Sequence, residues 1–305
     1  MLVFHHQSAL EHDTGRGHPE RADRVRAVIE ALDAEEFQGL ERREAPRATV
    51  EQLERVHRPR YVEALLAAMP AEGLLTLDTD TILSPGTEEA ALRAAGAVVA
   101  AVDAVLDGGA ATAFCIARPP GHHAEPARGM GFCLFNNVAI GAAHARARGV
   151  SRVAIVDFDV HHGNGTQAAF EHDSSVFFAS THEYPLYPGT GSARERGVGN
   201  IVNVPLPPGS GSAQFRAAFE DAVLPALRAF EPELLLISAG FDAHARDPLS
   251  TLALHEDDYA WVTRELREAA ARCCAGRIVS TLEGGYDLAA LGASAAAHLR
   301  ELSLG

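Results

Sequence analysis

Lysine does not occur in this chain: all 26 of its cationic side chains are arginine, set against 41 acidic ones. A chain without lysine has no Schiff-base nucleophile and no P-loop lysine to hold a phosphate. Its net charge of -15 repels a polyanion, so no nucleic-acid partner is expected. Long apolar runs are missing as well. None approaches the roughly 20 residues of a membrane span, and the opening Met1-Leu2-Val3-Phe4-His5-His6 lacks the basic-then-apolar pattern of a secretory leader. A cytoplasmic protein with no membrane partner is the expectation. Cysteine is scarce: Cys115, Cys133, Cys273 and Cys274 lie in or beside apolar stretches, and the adjacent two cannot bridge each other without strain. Free thiols are expected.

What is present suffices for a large core. Of 305 residues, 47% are hydrophobic and 22% charged, which suits one α/β domain over residues 1–305. Short runs rich in Val, Ile and Phe alternate with longer segments rich in Ala and Leu, the pattern of βαβ units around a mostly parallel sheet flanked by helices. Strands are predicted at Thr112 to Ile116, Val153 to Phe158, Val176 to Ala179, Leu234 to Ser238 and Ile278 to Leu282. Helices are predicted at Glu88 to Leu106, Asn137 to Arg148, Ala213 to Phe230 and Asp257 to Cys274. Glu51 to Ala68 and Glu88 to Leu106 read as surface helices, and nothing in them separates a monomer from a homo-oligomer. The Pro- and Gly-rich stretch from Tyr184 to Gly211 reads as a long ordered loop.

Polar residues cluster directly after predicted strands, at Arg118 to His123, Asp157 to Asn164, Gly240 to His244 and Glu283 to Asp287. In an open parallel sheet the carboxyl ends of the strands share one rim, where ligands bind, so four segments are expected to converge on one crevice. The alternation of Asp157, Asp159 and His161 is metal-ligand spacing. A salt-bridged strand end would not explain three ionisable groups on one face followed by glycines, whereas Zn(II) or a similar divalent ion would offset them; Fe(II) suits the same ligands. Asp242 is a further candidate ligand, though an aspartate after a strand is often only a helix cap. Three protein ligands leave a position for an acidified water, which points to hydrolysis. His122 and His123 offer acid/base groups, ligands or ordinary loop residues. Tyr286, after Gly284-Gly285, could donate to an oxyanion or simply pack in a turn.

Taken together, these segments make the sequence similar to the arginase/deacetylase superfamily, and within it to the histone deacetylase family, from His18-Pro19-Glu20-Arg21 to Tyr286. The motifs are Arg118-Pro119-Pro120-Gly121-His122-His123, Gly131-Phe132-Cys133-Leu134-Phe135-Asn136-Asn137, Asp157 through Gly165, Gly240-Phe241-Asp242-Ala243-His244 and Leu282-Glu283-Gly284-Gly285-Tyr286. Asn164 and Glu283 resemble the class II branch. The resemblance implies Zn(II) on Asp159, His161 and Asp242, His123 as principal acid/base, and Tyr286 as the group that polarises the substrate carbonyl. It also implies that Asp157 orients His122 and that Asn164 partners His123. Phe132 and Tyr187 would flank a tunnel for the acylated side chain, and Arg21 would line its inner end. Asp157, Ser180 and Thr181 would hold a structural potassium ion.

The implied substrate is an acylated amine, either acyl-lysine or an acetylpolyamine. The polyamine-selective kind that resembles the eukaryotic enzyme carries a glutamate after the Asp-Pro that follows the last ligand; here Leu249 follows Asp247-Pro248, which favours acyl-lysine. The strong negative charge favours polyamines. An arginase-like ureohydrolase would want an aspartate two positions after His161, where Gly163 stands. A non-catalytic acyl-amine sensor would have no use for His122, His123 and Tyr286 together.

Overall fold

The computed structural model describes residues 1–304. Its centre is an eight-stranded sheet in which every pairing is parallel. In chain order the strands are β1 (Leu2–His5), β2 (Glu41–Glu44), the small antiparallel pair β3 (Leu75–Thr76) and β4 (Ile82–Leu83), β5 (Thr112–Cys115), β6 (Val153–Asp157), β7 (Val176–Glu183), β8 (Ile201–Leu206), β9 (Leu234–Ala239) and β10 (Ile278–Leu282). The sheet order is β2-β1-β5-β10-β9-β6-β7-β8. The helices are α1 (Ala22–Ala31), α2 (Val50–Glu54), α3 (Pro59–Ala67), α4 (Thr87–Leu106), α5 (Asn137–Ala147), α6 (Asn164–Phe170), α7 (Ser212–Ala218), α8 (Leu224–Phe230), α9 (Glu256–Cys273) and α10 (Leu288–Leu302).

Strands β5, β6, β9 and β10 are buried along their whole length, as continuous apolar runs in a two-sided parallel sheet must be. Their side chains alternate between two cores. Phe114, Val156, Ile237 and Ile278 face one core, with α1, α9 and α10 over it; Ala113, Ile155, Leu236 and Val279 face the other, beneath α4 and α5. The result is a three-layer α/β sandwich.

Several expectations need correction. Helix α4 is not a surface helix: its Ala- and Val-rich sequence is buried on most sides, packed on α5 and against β1, β5 and β10. The stretch 51–68 is two helices, α2 and α3, broken before Pro59. The predicted loop from Tyr184 contains the edge strand β8. The predicted helix from Ala213 is interrupted by a π turn at Phe219–Val223, just before Pro225, whose missing N–H prevents a regular ladder. Strand β7 runs four residues beyond its expected end because Ser180, Thr181, His182 and Glu183, although polar, stay buried in the sheet.

Candidate active site

Strand β9 lies between β6 and β10, so the segments leaving these three strands meet over their carboxyl ends. Asp159 and His161 follow β6 and Asp242 follows β9. His161 Nδ1 lies 3.1 Å from Asp159 Oδ1 and 3.1 Å from Asp242 Oδ2, and one ligand atom of each residue falls within 4.8 Å of the others. Both carboxylates are fully buried, and their remaining lone pairs accept backbone N–H groups: Gly284 and His161 donate to Asp159, and Val160 donates to Asp242. Donor type, spacing and burial fit a divalent ion of the zinc or iron kind. Gly284 comes so close that a Cβ there would lie 2.1 Å from Asp242 Oδ2 and 2.6 Å from Asp159 Oδ2. Burial opposes a charge on His161, but the two carboxylates outweigh it and push the imidazole up to about 10, while burial and Asp159 together raise Asp242. Two carboxylates this close bind a proton in the place a cation would take.

The His122-His123 loop follows β5 and is held from below by Glu283, whose Oε2 accepts the N–H groups of Gly121 (2.7 Å) and His122 (3.2 Å). Glu283 is buried and pushed up to about 7, chiefly by desolvation; in the sequence it was only a branch marker. Asp157 does not join the ligand trio. It turns to His122, with Oδ2 2.9 Å from Nδ1. Burial lowers His122, but Asp159 and Asp157 more than offset that and hold it well above its ordinary range. His123 goes the other way: burial comes first, then the neighbouring His122 and His161, and all three push it well below. The two rings, 4.0 Å apart, are thus split into a charged and a neutral imidazole.

The tautomer of His123 follows from its partners. Asn164 Nδ2 donates to Glu125 Oε1 at 2.9 Å, so its carbonyl oxygen faces His123 Nδ1 at 2.8 Å and accepts a hydrogen from it. Nε2 of His123 is left with a free lone pair. His123 is one wall of a cavity of about 240 Å³ that His161, Tyr286, Phe132, Tyr187, Leu249, Leu186 and Asp80 also line. Phe132, Tyr187 and Leu249 are thus brought to one cavity, together with Leu186 and Asp80, which no motif marks. Phe132 is held at φ 69°, a costly conformation for a residue with a side chain, and its N–H donates to Thr81 Oγ1. Burial raises the Tyr286 hydroxyl well above its ordinary range, which keeps it a donor.

Arg21 is not at the inner end of this cavity. It is the N-cap of α1, its side chain is 50% exposed, and it pairs with Asp23. The buried guanidinium is Arg24, one turn on: it lies 4.9 Å from the Tyr286 ring centroid, donates to the carbonyls of Gly285 and Glu283, and pairs with Glu20 at 3.0 Å. Arg118 reaches Glu20 from the other side at 2.7 Å. Burial raises Glu20, but the two guanidinium groups overcome it and hold the carboxyl down at about 2. Ser180 pairs in register with Asp157, its hydroxyl 2.9 Å from His182 Nδ1, while Thr181 Oγ1 is buried without a hydrogen-bond partner. A second group, His244, His255 and Glu256, also has metal-like spacing. His244 Nδ1 accepts the Arg246 N–H at 3.1 Å, so its Nε2 carries the hydrogen and faces Glu256 with no lone pair to offer.

Comparison with known proteins supplies the family. The histone deacetylase domain family matches residues 18–302. The chain is 41% identical over 323 residues to histone deacetylase 14, chloroplastic, of Arabidopsis thaliana, covering 99% of this chain and 76% of that one. It is 42% identical over 294 residues to the histone deacetylase-like amidohydrolase of Pseudomonas aeruginosa, covering 94% and 77%. The crystal structure of the HDA15 HD domain superposes with a TM-score of 0.92 at 36% identity, covering 99% of this chain and 87% of that one. No helix among the described residues is long and apolar enough to cross a membrane.

Proposed function

Because the chain belongs to the histone deacetylase family, and is therefore a hydrolase acting on amide bonds, we propose that it removes acetyl or related acyl groups from an amine through the residues that line the 240 Å³ cavity. The observation that carries this reading is the free Nε2 of His123 beside the Asp159, His161 and Asp242 trio in a narrow cavity that Tyr286 also lines. Asp159, His161 and Asp242 would hold Zn(II), or Fe(II) on the same donors; when bound, such an ion polarises a carbonyl and acidifies water.

The rest falls to the chain's own groups. His123, kept neutral and with Nε2 free, takes a proton from water and returns it to the departing amine. His122, kept charged by Asp159 and Asp157, supplies a fixed positive charge beside His123. The Tyr286 hydroxyl donates to the oxygen as it gains negative charge. Phe132 and Tyr187 hold a slim side chain and exclude water, and Leu249 adds apolar wall. The reading extends to a structural potassium ion beside Asp157, Ser180 and Thr181, where Asp157 and Ser180 are register partners on adjacent strands.

Acyl-lysine is the preferred substrate class, since Leu249 offers nothing to a distant ammonium. A second reading, acetylpolyamine, is favoured by Asp80 in the cavity wall. Turnover of the zinc-loaded protein on an acetyl-lysine peptide, a trifluoroacetyl-lysine peptide, acetylputrescine and acetylspermidine separates the two. His123→Ala and Tyr286→Phe should each cut kcat by on the order of 100-fold or more with zinc still bound. Near-normal turnover by His123→Ala would refute the assignment.

A further inference from the structure

Tyr286 stands after two glycines. A Cβ at Gly284 would collide with Asp159 and Asp242, and Gly285 sits at φ 122°. A donor that must meet an oxyanion within a fraction of an ångström is thus mounted on the most flexible pair of residues a backbone can have. Arg24 and Phe132 pack on its ring. The peptide unit that joins it to Gly285 is fastened by two side chains: Arg24 Nε donates to the Gly285 carbonyl at 2.6 Å, and Asp247, 8% exposed, accepts the Tyr286 N–H on Oδ2 at 2.7 Å. The other oxygen of the same carboxylate accepts the N–H of Leu249 at 2.9 Å. Leu249 lines the cavity, and its loop is moored further on by Thr251, which donates its N–H and hydroxyl to the buried Glu183.

From this arrangement we propose that Asp247 is a positioning residue for the reaction, fixing Tyr286 and the tunnel wall at Leu249 relative to each other through its two carboxylate oxygens. The proposal rests on the reading of Tyr286 as oxyanion donor. One side chain then sets both the alignment of the donor, which acts in the transition state, and the tunnel width, which acts in binding. A carboxylate can do this because it is an acceptor on both oxygens. An asparagine accepts on only one and would turn an N–H toward the other donor.

The test is a double-mutant cycle with kcat and KM measured separately on an acetyl-lysine peptide, alongside zinc content. Asp247→Ala should lower kcat by on the order of 10- to 100-fold, with KM changed less and zinc retained. Asp247→Asn, isosteric and hence safe for folding, should fall between Ala and the native residue. In a Tyr286→Phe background either substitution should cost no more than about twofold in kcat, because the hydroxyl it aligns is gone. The same loss of kcat in the presence and absence of the hydroxyl, or loss of zinc, would overturn the proposal and reduce Asp247 to a structural residue. Full turnover by Tyr286→Phe alone would instead refute the oxyanion role on which the proposal rests.

Discussion

Replacing Gly284 with alanine should weaken zinc binding by the Asp159, His161 and Asp242 trio in a protein that still folds. The residue has no left-handed φ, so alanine costs nothing in backbone conformation there; the whole cost is collision. Its Cβ would sit 2.1 Å from Asp242 Oδ2 and 2.6 Å from Asp159 Oδ2, so carboxylate and backbone must separate by roughly 1 Å at a site where ligands tolerate only about 0.5 Å. The carboxylates have no room to yield sideways, since both are also tied to backbone N–H groups. With both carboxylates of the trio displaced, zinc affinity should fall on the order of 100-fold, about 2.7 kcal/mol. The assay is zinc competition against a chromophoric chelator, with thermal unfolding as the control for folding. Two other glycines calibrate it. Gly276→Ala places a Cβ in open space at φ 75°, so it should cost about 1 kcal/mol of stability and no zinc. Gly285→Ala meets Leu291 and Phe241 rather than the carboxylates, and should lose stability first. Native zinc affinity in Gly284→Ala would refute the assignment of this trio.

Other consequences follow from charge. Arg24→Met leaves the buried Glu20 to Arg118 alone and strands two carbonyls; it should cost on the order of 3 kcal/mol, visible as a fall in Tm of several degrees, whereas Arg21→Met should be neutral within about 0.5 kcal/mol. Equal effects would contradict the exchange of roles between these arginines. Metal-free protein holds a proton on His161, pushed up to about 10, so zinc binding near pH 7.5 should release about one proton per ion; calorimetry in two buffers of different ionisation enthalpy measures it, and buffer-independent heats would be the contrary result. His298, buried between the hydroxyls of Thr263 and Ser280, is lowered by burial to about 3. Its folded value lies below the ordinary 6.5, so the unfolded chain takes up the proton first and stability is lost as pH falls from about 6.5 toward 3. His298→Leu should cost about 1–3 kcal/mol at pH 7, by leaving Ser280 unpaired, and should flatten the acid-side decline of Tm; an unchanged slope would count against it.

The central strands could be read from the chain because burial on both faces requires unbroken apolar runs, and Ile278–Leu282 came out with its true ends. The edges could not. Glu41–Glu44 is Glu-Arg-Arg-Glu, exposed throughout, and pairs through its backbone alone. The polar half of β7 fell outside the expected strand because sequence does not show that the Ser180 hydroxyl and the His182 imidazole find partners inside. At the site, residues in dense motifs were legible; alternation alone groups Asp157 with Asp159 and His161, and the expectation that it meets His122, where the structure has it, came only from the family resemblance. Arg24 was recoverable in principle, since it shares a helix face with Val25 and Val28, all three buried. Asp80 and Asp247 reach the cavity or its residues from loops whose course no periodicity reveals.

The position of β9 and β10 bears on how the protein is made. They leave the ribosome after the other six strands of the sheet, yet they occupy its middle, between β5 and β6. Until they arrive, the nascent chain holds two half-sheets, each with an apolar edge open to any passing strand. Asp242 and Gly284 come with those late strands, so an incomplete chain cannot form the ligand trio. Any ion the trio holds can thus bind only once the sheet is closed, and a chaperone that shields the edges of β5 and β6 would be most needed until β10 has been made.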